Sequence, residues 1–187
     1  MSAPASAAAV PIPTLDDIRR GAEDLRGVAI KTPMEESRWL SAVAGGPVML
    51  KCENLQRTGS FKIRGAYLRM SRLSEEERAA GVVAASAGNH AQGVALAAGL
   101  LGIKATVFMP TGAPIPKEKA TRGYGADVVF QGHTVDAALV AAKAFAAETG
   151  AVLIHPFDHV DIVTGQGSCG LEILEQTPDV QTVLVPT

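Results

Sequence analysis

The stretch Val82-Val83-Ala84-Ala85-Ser86-Ala87-Gly88-Asn89-His90 decides the fold of this chain. Its first four residues are apolar and are followed by small ones, a pattern typical of a short buried strand. A turn follows, and Ala91–Leu101 then repeats apolar residues at helical spacing up to Gly102, a common helix terminator. A strand, a tight turn and a helix in this order form the unit from which α/β sheets are built.

The same alternation continues to the end of the chain. Strands are predicted at 105–108, 127–130, 152–154 and 182–185, and helices at 116–124, 134–149 and 170–176. Upstream, Thr14 is a candidate N-cap for a first helix, and 47–52 is predicted to be a strand. Strands that alternate with helices across short turns predict a doubly wound, parallel α/β sheet, whose ligands bind beyond the carboxyl ends of the strands.

Composition excludes several classes of protein. Hydrophobic residues make up 47% of the 187 residues and aromatic residues only 4%, which suits helices packed on a sheet through small aliphatic side chains. The net charge of −2 includes no basic stripe, so nucleic acid is not an expected partner. No apolar run reaches about 20 residues, so a membrane span is not expected. Cys52 and Cys169 are too isolated for a disulfide framework and favour the cytoplasm.

A lysine stands at the predicted start of a helix in Thr58-Gly59-Ser60-Phe61-Lys62-Ile63-Arg64-Gly65-Ala66. Lys62 lies off the apolar stripe of this helix, so packing alone does not explain it. The positive potential of a helix N-terminus disfavours the charged form of a lysine, and the neutral amine is the form that attacks a carbonyl. Lys62 is therefore a candidate imine-forming residue, with an ordinary surface lysine as the alternative.

The turn and helix start at 86–90 are a candidate site for a carboxylate. Several backbone N–H groups at a helix start provide donors for an anion, and the turn follows the carboxyl end of a strand. The alternative is an ordinary strand-to-helix turn with Asn89 as its cap. His90 is a candidate base beside this site, or equally a structural histidine.

Two other motifs predict weaker possibilities. The run 165–170 matches G-x-G-x-x-G, but no strand immediately precedes it and no acid follows at the required distance, so a flexible helix entry is expected instead of a dinucleotide site. His155 and His159 have the residue type of metal ligands, but Pro156 argues against the helix that would bring their rings together. We expect a polar loop there and no metal.

Two longer motifs together resemble those of the threonine dehydratases. These motifs are 51–66 and 86–93, and the similarity extends from about Thr14 to Thr187. Threonine dehydratases, also called threonine ammonia-lyases, are fold type II enzymes that use pyridoxal 5'-phosphate, and they are related to serine racemase and the tryptophan synthase β chain. Cys169 and His159 depart from the family pattern, where an apolar or branched residue and an acid are expected.

The resemblance implies roles for individual residues. Lys62 would bond covalently to the cofactor and later move the substrate's α-proton. Phe61 would pack against the pyridine ring, and Asn89 would donate a hydrogen bond to the cofactor's phenolic oxygen. The substrate carboxylate would be surrounded by Ser86, Ala87, Gly88, Asn89 and His90.

The reaction implied by the resemblance converts L-threonine to 2-oxobutanoate and ammonia, with L-serine giving pyruvate as a side activity. Ala87 favours elimination, because serine racemases carry a second serine base at this position. A serine racemase-like enzyme, a 3-hydroxyaspartate dehydratase and a non-catalytic remnant or binding module remain alternatives. Isoleucine biosynthesis and serine or threonine deamination are both compatible roles.

The resemblance also implies a domain organisation. Residues 1–13 are expected to be a disordered tail, 14–60 the N-terminal part of a large cofactor-binding domain, 61–157 a small α/β domain, and 158–187 the return to the large domain. The family's glycine-rich phosphate loop would follow Thr187. We therefore expect this chain to lack the C-terminal part of the large domain and to have weak or no activity alone. A homo-oligomer is expected at full length.

Overall fold

The computed structural model describes residues 11–186, so most of the predicted tail 1–13 lies outside the described residues. The helices are α1 (Leu15–Asp24), α2 (Arg38–Ala44), α3 (Lys62–Ser71), α4 (Glu75–Ala80), α5 (Asn89–Leu101), α6 (Ile115–Gly123), α7 (Val135–Thr149) and α8 (Val160–Gln176). The strands are β1 (Met34–Glu36), β2 (Met49–Lys51), β3 (Val82–Ala85), β4 (Ala105–Met109), β5 (Asp127–Phe130) and β6 (Val152–Leu153), and a 3-10 turn spans Glu53–Leu55. Among these helices none is long and apolar enough to cross a membrane.

The central sheet has four parallel strands in the order β5-β4-β3-β6. Helices α5 and α7 cover opposite faces, and α6 packs beside α5. Alternate residues of β3 serve the two faces: Val82 and Ala84 contact the α5 side, whereas Val83 and Ala85 contact the α7 side. Both faces are buried, which explains the continuous apolar run in the sequence. The predicted doubly wound α/β fold is confirmed.

The N-terminal residues form a separate layer beside α8. Thr14 caps α1 as predicted: its hydroxyl accepts the Asp17 N–H at 3.2 Å, and the Asp17 carboxylate accepts the Thr14 N–H at 2.8 Å. Helix α1 packs on α8, and β1 pairs with β2 in antiparallel fashion, with Met34 opposite Lys51. The short strand β2 falls within the predicted strand 47–52.

Helix α8 begins ten residues earlier than the sequence analysis predicted. Its N-cap is His159, whose side chain accepts the Asp161 N–H at 3.1 Å. The G-x-G-x-x-G run therefore lies inside a helix and not at a flexible helix entry, so that prediction is wrong. Glycine lowers helix propensity, which hides the helix from a pattern-based prediction, but tertiary packing overrides this cost.

Glycines bring α8 and α3 into backbone contact. A Cβ atom added to Gly165 would lie 2.6 Å from the carbonyl oxygen of Arg64, and one added to Gly65 would lie 2.9 Å from that of Ile162. Real side chains do not approach so closely, so only glycine fits at these two positions. The two helices cross at the point where α3 is just one turn past Lys62.

A buried ion cluster ties the start of α3 to its surroundings. The Arg64 side chain is 1% exposed, and its guanidinium donates to Glu53 at 2.8 and 2.9 Å and to Glu172 at 2.7 and 3.0 Å. Lys51 donates to the same Glu172 carboxylate at 2.6 Å. Two cations and two carboxylates thus neutralise one another away from water. The cluster links β2, the 3-10 turn, α3 and α8.

The predicted strand 182–185 is absent from the described structure. Residues 181–186 have no regular secondary structure, and Leu184 is 88% exposed. A strand needs a neighbour for its backbone hydrogen bonds, and no strand is paired with this segment in the part of the chain described. The apolar sequence is typical of a buried strand, but no neighbouring strand pairs with it among residues 11–186.

The close contact of α8 with α3 predicts opposite effects of alanine at two glycines of one helix. We expect Gly165→Ala to lower the free energy of unfolding by about 1–3 kcal/mol, because its Cβ meets the backbone of α3. Gly170→Ala meets no atom within 4 Å and should raise this free energy by up to about 1 kcal/mol. Urea denaturation followed by circular dichroism measures both. Equal effects of the two substitutions would contradict the packing argument.

Candidate active site

The order in which the chain adds strands to the sheet reverses between β3 and β6. From β3 the chain adds β4 and β5 on one side, and it then returns to add β6 on the other side. At such a point in a doubly wound sheet, neighbouring loops diverge and leave a crevice for a ligand. Residues 86–88 follow β3, and residues 154–158 follow β6. These two segments are where the site is expected.

The turn after β3 uses its own N–H groups internally and leads into the start of α5, where the remaining backbone donors lie. The Ser86 N–H donates to the Phe108 carbonyl at 3.0 Å, and the Ser86 hydroxyl accepts the Gly88 N–H at 3.1 Å. A Cβ added to Gly88 would meet no heavy atom within 4 Å, so the space beside the turn is open. The N–H groups in the first turn of α5 have no preceding helical carbonyls to bind. This arrangement is suited to a carboxylate.

Lys62 comes beside this turn because α5 carries a glycine where α3 crosses it. A Cβ added to Gly93 would lie 3.0 Å from the carbonyl carbon of Lys62 and 3.2 Å from the amide nitrogen of Ile63. The backbone of Lys62 therefore rests on α5 one turn after Asn89. Gly93 is part of the motif 86–93, but spacing alone did not indicate its function.

The side chain of Lys62 reaches the other edge of the crevice. Its Nζ donates to the carbonyl oxygen of Pro156, in the loop after β6, at 2.9 Å, and lies 5.1 Å from the centroid of the Phe61 ring. The side chain is half-buried, and this burial lowers the pKa of the Lys62 amine. The shift favours the neutral, nucleophilic form, in the direction that the sequence analysis predicted, although burial is its cause.

His90 is a buried structural link between the two edges. Its Nε2 donates to the Ile154 carbonyl at 2.8 Å, so the imidazole joins the start of α5 to the end of β6. Burial lowers the pKa of His90 to about 4, and the hydrogen bond to Ile154 opposes this only in part. The ring is therefore neutral at neutral pH. Of the two predicted roles, the structural one agrees with this geometry.

Asn89 does not cap α5. The N-cap is Gly88, and Asn89 is already the first helical residue, two positions before the predicted helix start. Its side-chain oxygen instead accepts a hydrogen bond from Lys117 Nζ of α6 at 2.8 Å. Sequence reasoning missed Lys117, because its contact with Asn89 depends on the packing of α6 beside α5.

The two candidate metal ligands are engaged by backbone groups. His155 Nδ1 accepts the Asp158 N–H at 2.7 Å, and His159 Nδ1 is the cap of α8. Between residues 11 and 186, no three His, Cys, Asp or Glu side chains come together as a metal site. The structure thus places the Lys62 backbone against α5 and its amine against the loop after β6, and the roles of these residues stay predictions.

The sequence is similar to a known protein family and to characterised relatives. A family model described as "Pyridoxal-phosphate dependent enzyme" matches residues 25–187. The L-threonine ammonia-lyase of Thermotoga maritima is 54% identical over 173 residues, which cover 92% of this chain and 43% of that protein. The L-threo-3-hydroxyaspartate ammonia-lyase of a Pseudomonas species is 49% identical over 169 residues, or 90% of this chain and 53% of that protein.

The fold is also similar to solved structures. Maize serine racemase superposes with a TM-score of 0.84 at 38% identity, over 92% of this chain and 51% of that chain. This chain spans about half the length of the curated relatives that it matches.

The buried His90 predicts a stability that falls in mild acid. His90 is neutral in the folded state down to about pH 4, whereas an unfolded histidine takes up a proton below about 6.5. Between those two values the unfolded state binds more protons than the folded state. Each unit by which the pH falls in this range therefore lowers the free energy of unfolding by roughly 1.4 kcal/mol through this residue.

The measurement is urea denaturation at several pH values between 7.5 and 4.5. We expect His90→Gln, whose amide can still donate to Ile154, to flatten the dependence on pH. The exposed His133 is the control, and His133→Gln should leave the dependence unchanged. An unaltered slope in His90→Gln would contradict the prediction.

Proposed function

This chain belongs to the pyridoxal-phosphate-dependent enzyme family, with the fold type II architecture, and from that premise we propose that its protein is a threonine ammonia-lyase. It would convert L-threonine to 2-oxobutanoate and ammonia. The observation that carries the proposal is the half-buried Lys62 amine, with its lowered pKa, in the crevice beyond β3 and β6. The 54% identity to an L-threonine ammonia-lyase supports the choice of substrate.

The residues around Lys62 fit the cofactor that the family uses. Pyridoxal phosphate needs a neutral amine for its aldehyde, and burial favours that form of Lys62. A donor for the ring oxygen is available in the Asn89 amide, whose oxygen is already engaged by Lys117. Phe61, 39% exposed beside the Lys62 amine, offers an aromatic surface for the ring. When bound, the cofactor supplies a ring that accepts electron density from the substrate's α-carbon.

Residues of this chain would bind and orient the amino acid. Donors in the turn 86–90, chiefly the backbone N–H groups at the start of α5, would hold the substrate carboxylate. In its neutral form, the Lys62 Nζ would accept the substrate's α-proton. The substrate hydroxyl would then leave. The Pro156 carbonyl, 2.9 Å from Nζ, is positioned to hold this amine between steps.

Ala87 supports elimination over racemisation. Racemisation needs a second proton-carrying group on the opposite side of the substrate, and an alanine side chain has no such proton. A 3-hydroxyaspartate ammonia-lyase is the second candidate, since a relative of that name is 49% identical. A non-catalytic binding module would not need a half-buried lysine with a lowered pKa.

The domain organisation, location and assembly are proposed with the function. The large domain would comprise residues 14–60 and 158–187, and the small domain residues 61–157. This division is supported by the four-stranded parallel sheet, which lies entirely within 61–157. A cytoplasmic site of action is supported by Cys52 and Cys169, which are free thiols. A homo-oligomer at full length is also proposed.

Replacing Lys62 should abolish both cofactor attachment and turnover. The purified full-length protein with added pyridoxal phosphate should show a visible absorbance band and form 2-oxobutanoate from L-threonine, whereas residues 1–187 alone should show little or no turnover. Lys62→Ala should lose the band and lower kcat by about 10²- to 10⁴-fold or more. Lys119→Ala, on exposed α6 surface, is the control that should retain both. Turnover that persists in Lys62→Ala would refute the proposal.

Substrate profiling separates the candidate reactions. We expect kcat/KM to be highest for L-threonine, with pyruvate formed more slowly from L-serine and no D-serine formed. Each substrate is assayed for its oxo acid, and D-serine is measured by chiral chromatography. A higher kcat/KM for L-threo-3-hydroxyaspartate would favour the second candidate, and D-serine formation would contradict the interpretation of Ala87.

A further inference from the structure

Lys117 makes contacts that the proposed reaction leaves unexplained. It is the third residue of α6, and its Nζ donates to Asn89 Oδ1 at 2.8 Å and to Gln92 Oε1 at 3.3 Å. Both acceptors belong to α5, one helical turn apart. A cation in the first turn of a helix is placed unfavourably, and two amide oxygens compensate for that position.

The contact fixes the orientation of the Asn89 amide. A lysine ammonium has three donors and no acceptor, so only the oxygen end of an amide can face it. The NH2 end of Asn89 must then point away from Lys117. Gln92 is 7% exposed, and its oxygen provides a second anchor that restricts the ammonium.

Helix α6 places Lys117 against α5. Within α6, the fully buried Thr121 donates from its hydroxyl to the Lys117 carbonyl at 2.8 Å. Helix α6 packs along α5 on the same face of the sheet. The lysine therefore lies on a packed helix and not on a loop. A residue that orients another side chain needs such a rigid support.

We propose that Lys117 is a positioning residue that, through Asn89 Oδ1, turns the Asn89 NH2 group toward the oxygen of a bound pyridoxal ring. This inference rests on the proposed function, because it takes pyridoxal phosphate as the ligand at Lys62. An anionic ring oxygen is stabilised by a donor and repelled by a carbonyl oxygen. Without Lys117 the amide can present either end, and the cofactor loses a fixed donor.

The test compares substitutions on α6 in the purified full-length protein, with pyridoxal phosphate as the probe. Lys117→Met removes the donor and should weaken cofactor binding about tenfold, with a shifted absorbance maximum. Lys117→Arg keeps a donor and should restore most of both. Lys119→Met is the matched control on the same helix and should resemble the unmodified protein in both measurements.

A double-mutant cycle tests whether Lys117 acts through Asn89. In the Asn89→Ala background, Lys117→Met should have no further effect on cofactor affinity. Additive effects would mean that the charge acts directly, and they would overturn the inference. Unchanged affinity and absorbance in Lys117→Met would also overturn it.

A measurement without cofactor separates this inference from the proposed function. In the cofactor-free protein, the side-chain amide resonances of Asn89 should shift in Lys117→Met but not in Lys119→Met. If these resonances do not move, the orientation by Lys117 is refuted. Failure of the proposed function would be seen differently, as an absence of any Lys62-dependent absorbance band in the unmodified protein.

Discussion

The close approach of α3 to two other helices is the constraint on which the site depends. Glycines replace side chains at each crossing: Gly93 of α5 lies against the Lys62 backbone, and Gly165 of α8 lies against Arg64. Because backbone meets backbone, α3 has no room to slide or rotate between its neighbours. The first residue of α3 is Lys62, so the position of the amine follows from helix packing and not from the loop before it.

The ion cluster at Arg64 secures the other side of the same helix. Burial raises the pKa of Glu172, but hydrogen bonds from Arg64 and Lys51 outweigh it and keep the pKa below its usual value. Removing one partner would leave an uncompensated buried charge, which costs several kcal/mol. Three of the five charged residues of the motif 51–66, namely Lys51, Glu53 and Arg64, therefore support the helix that carries a fourth, Lys62.

Local sequence predicted most of the sheet but not the contacts between helices. The strands 105–108 and 127–130 and the helix 134–149 agree with the structure to within one residue, because period and end signals are local. The predicted start of α8 was wrong because its glycines are explained by contact with α3, which is distant in sequence. The strand 182–185 was wrong because pairing needs a partner. Lys117 was missed for the same reason as α8, since its contact with Asn89 joins two separate helices.

Two lysines in first helical turns illustrate how position decides chemistry. Lys62 is half-buried and donates to a single backbone carbonyl, so its amine is held loosely and can be released to react. Lys117 donates to two side-chain oxygens on a packed helix, so it is held as a donor and its partners are fixed in turn. Both begin as the same unfavourable pairing of a cation with a helix N-terminus. The number and rigidity of the acceptors then separate a reactive amine from an orienting one.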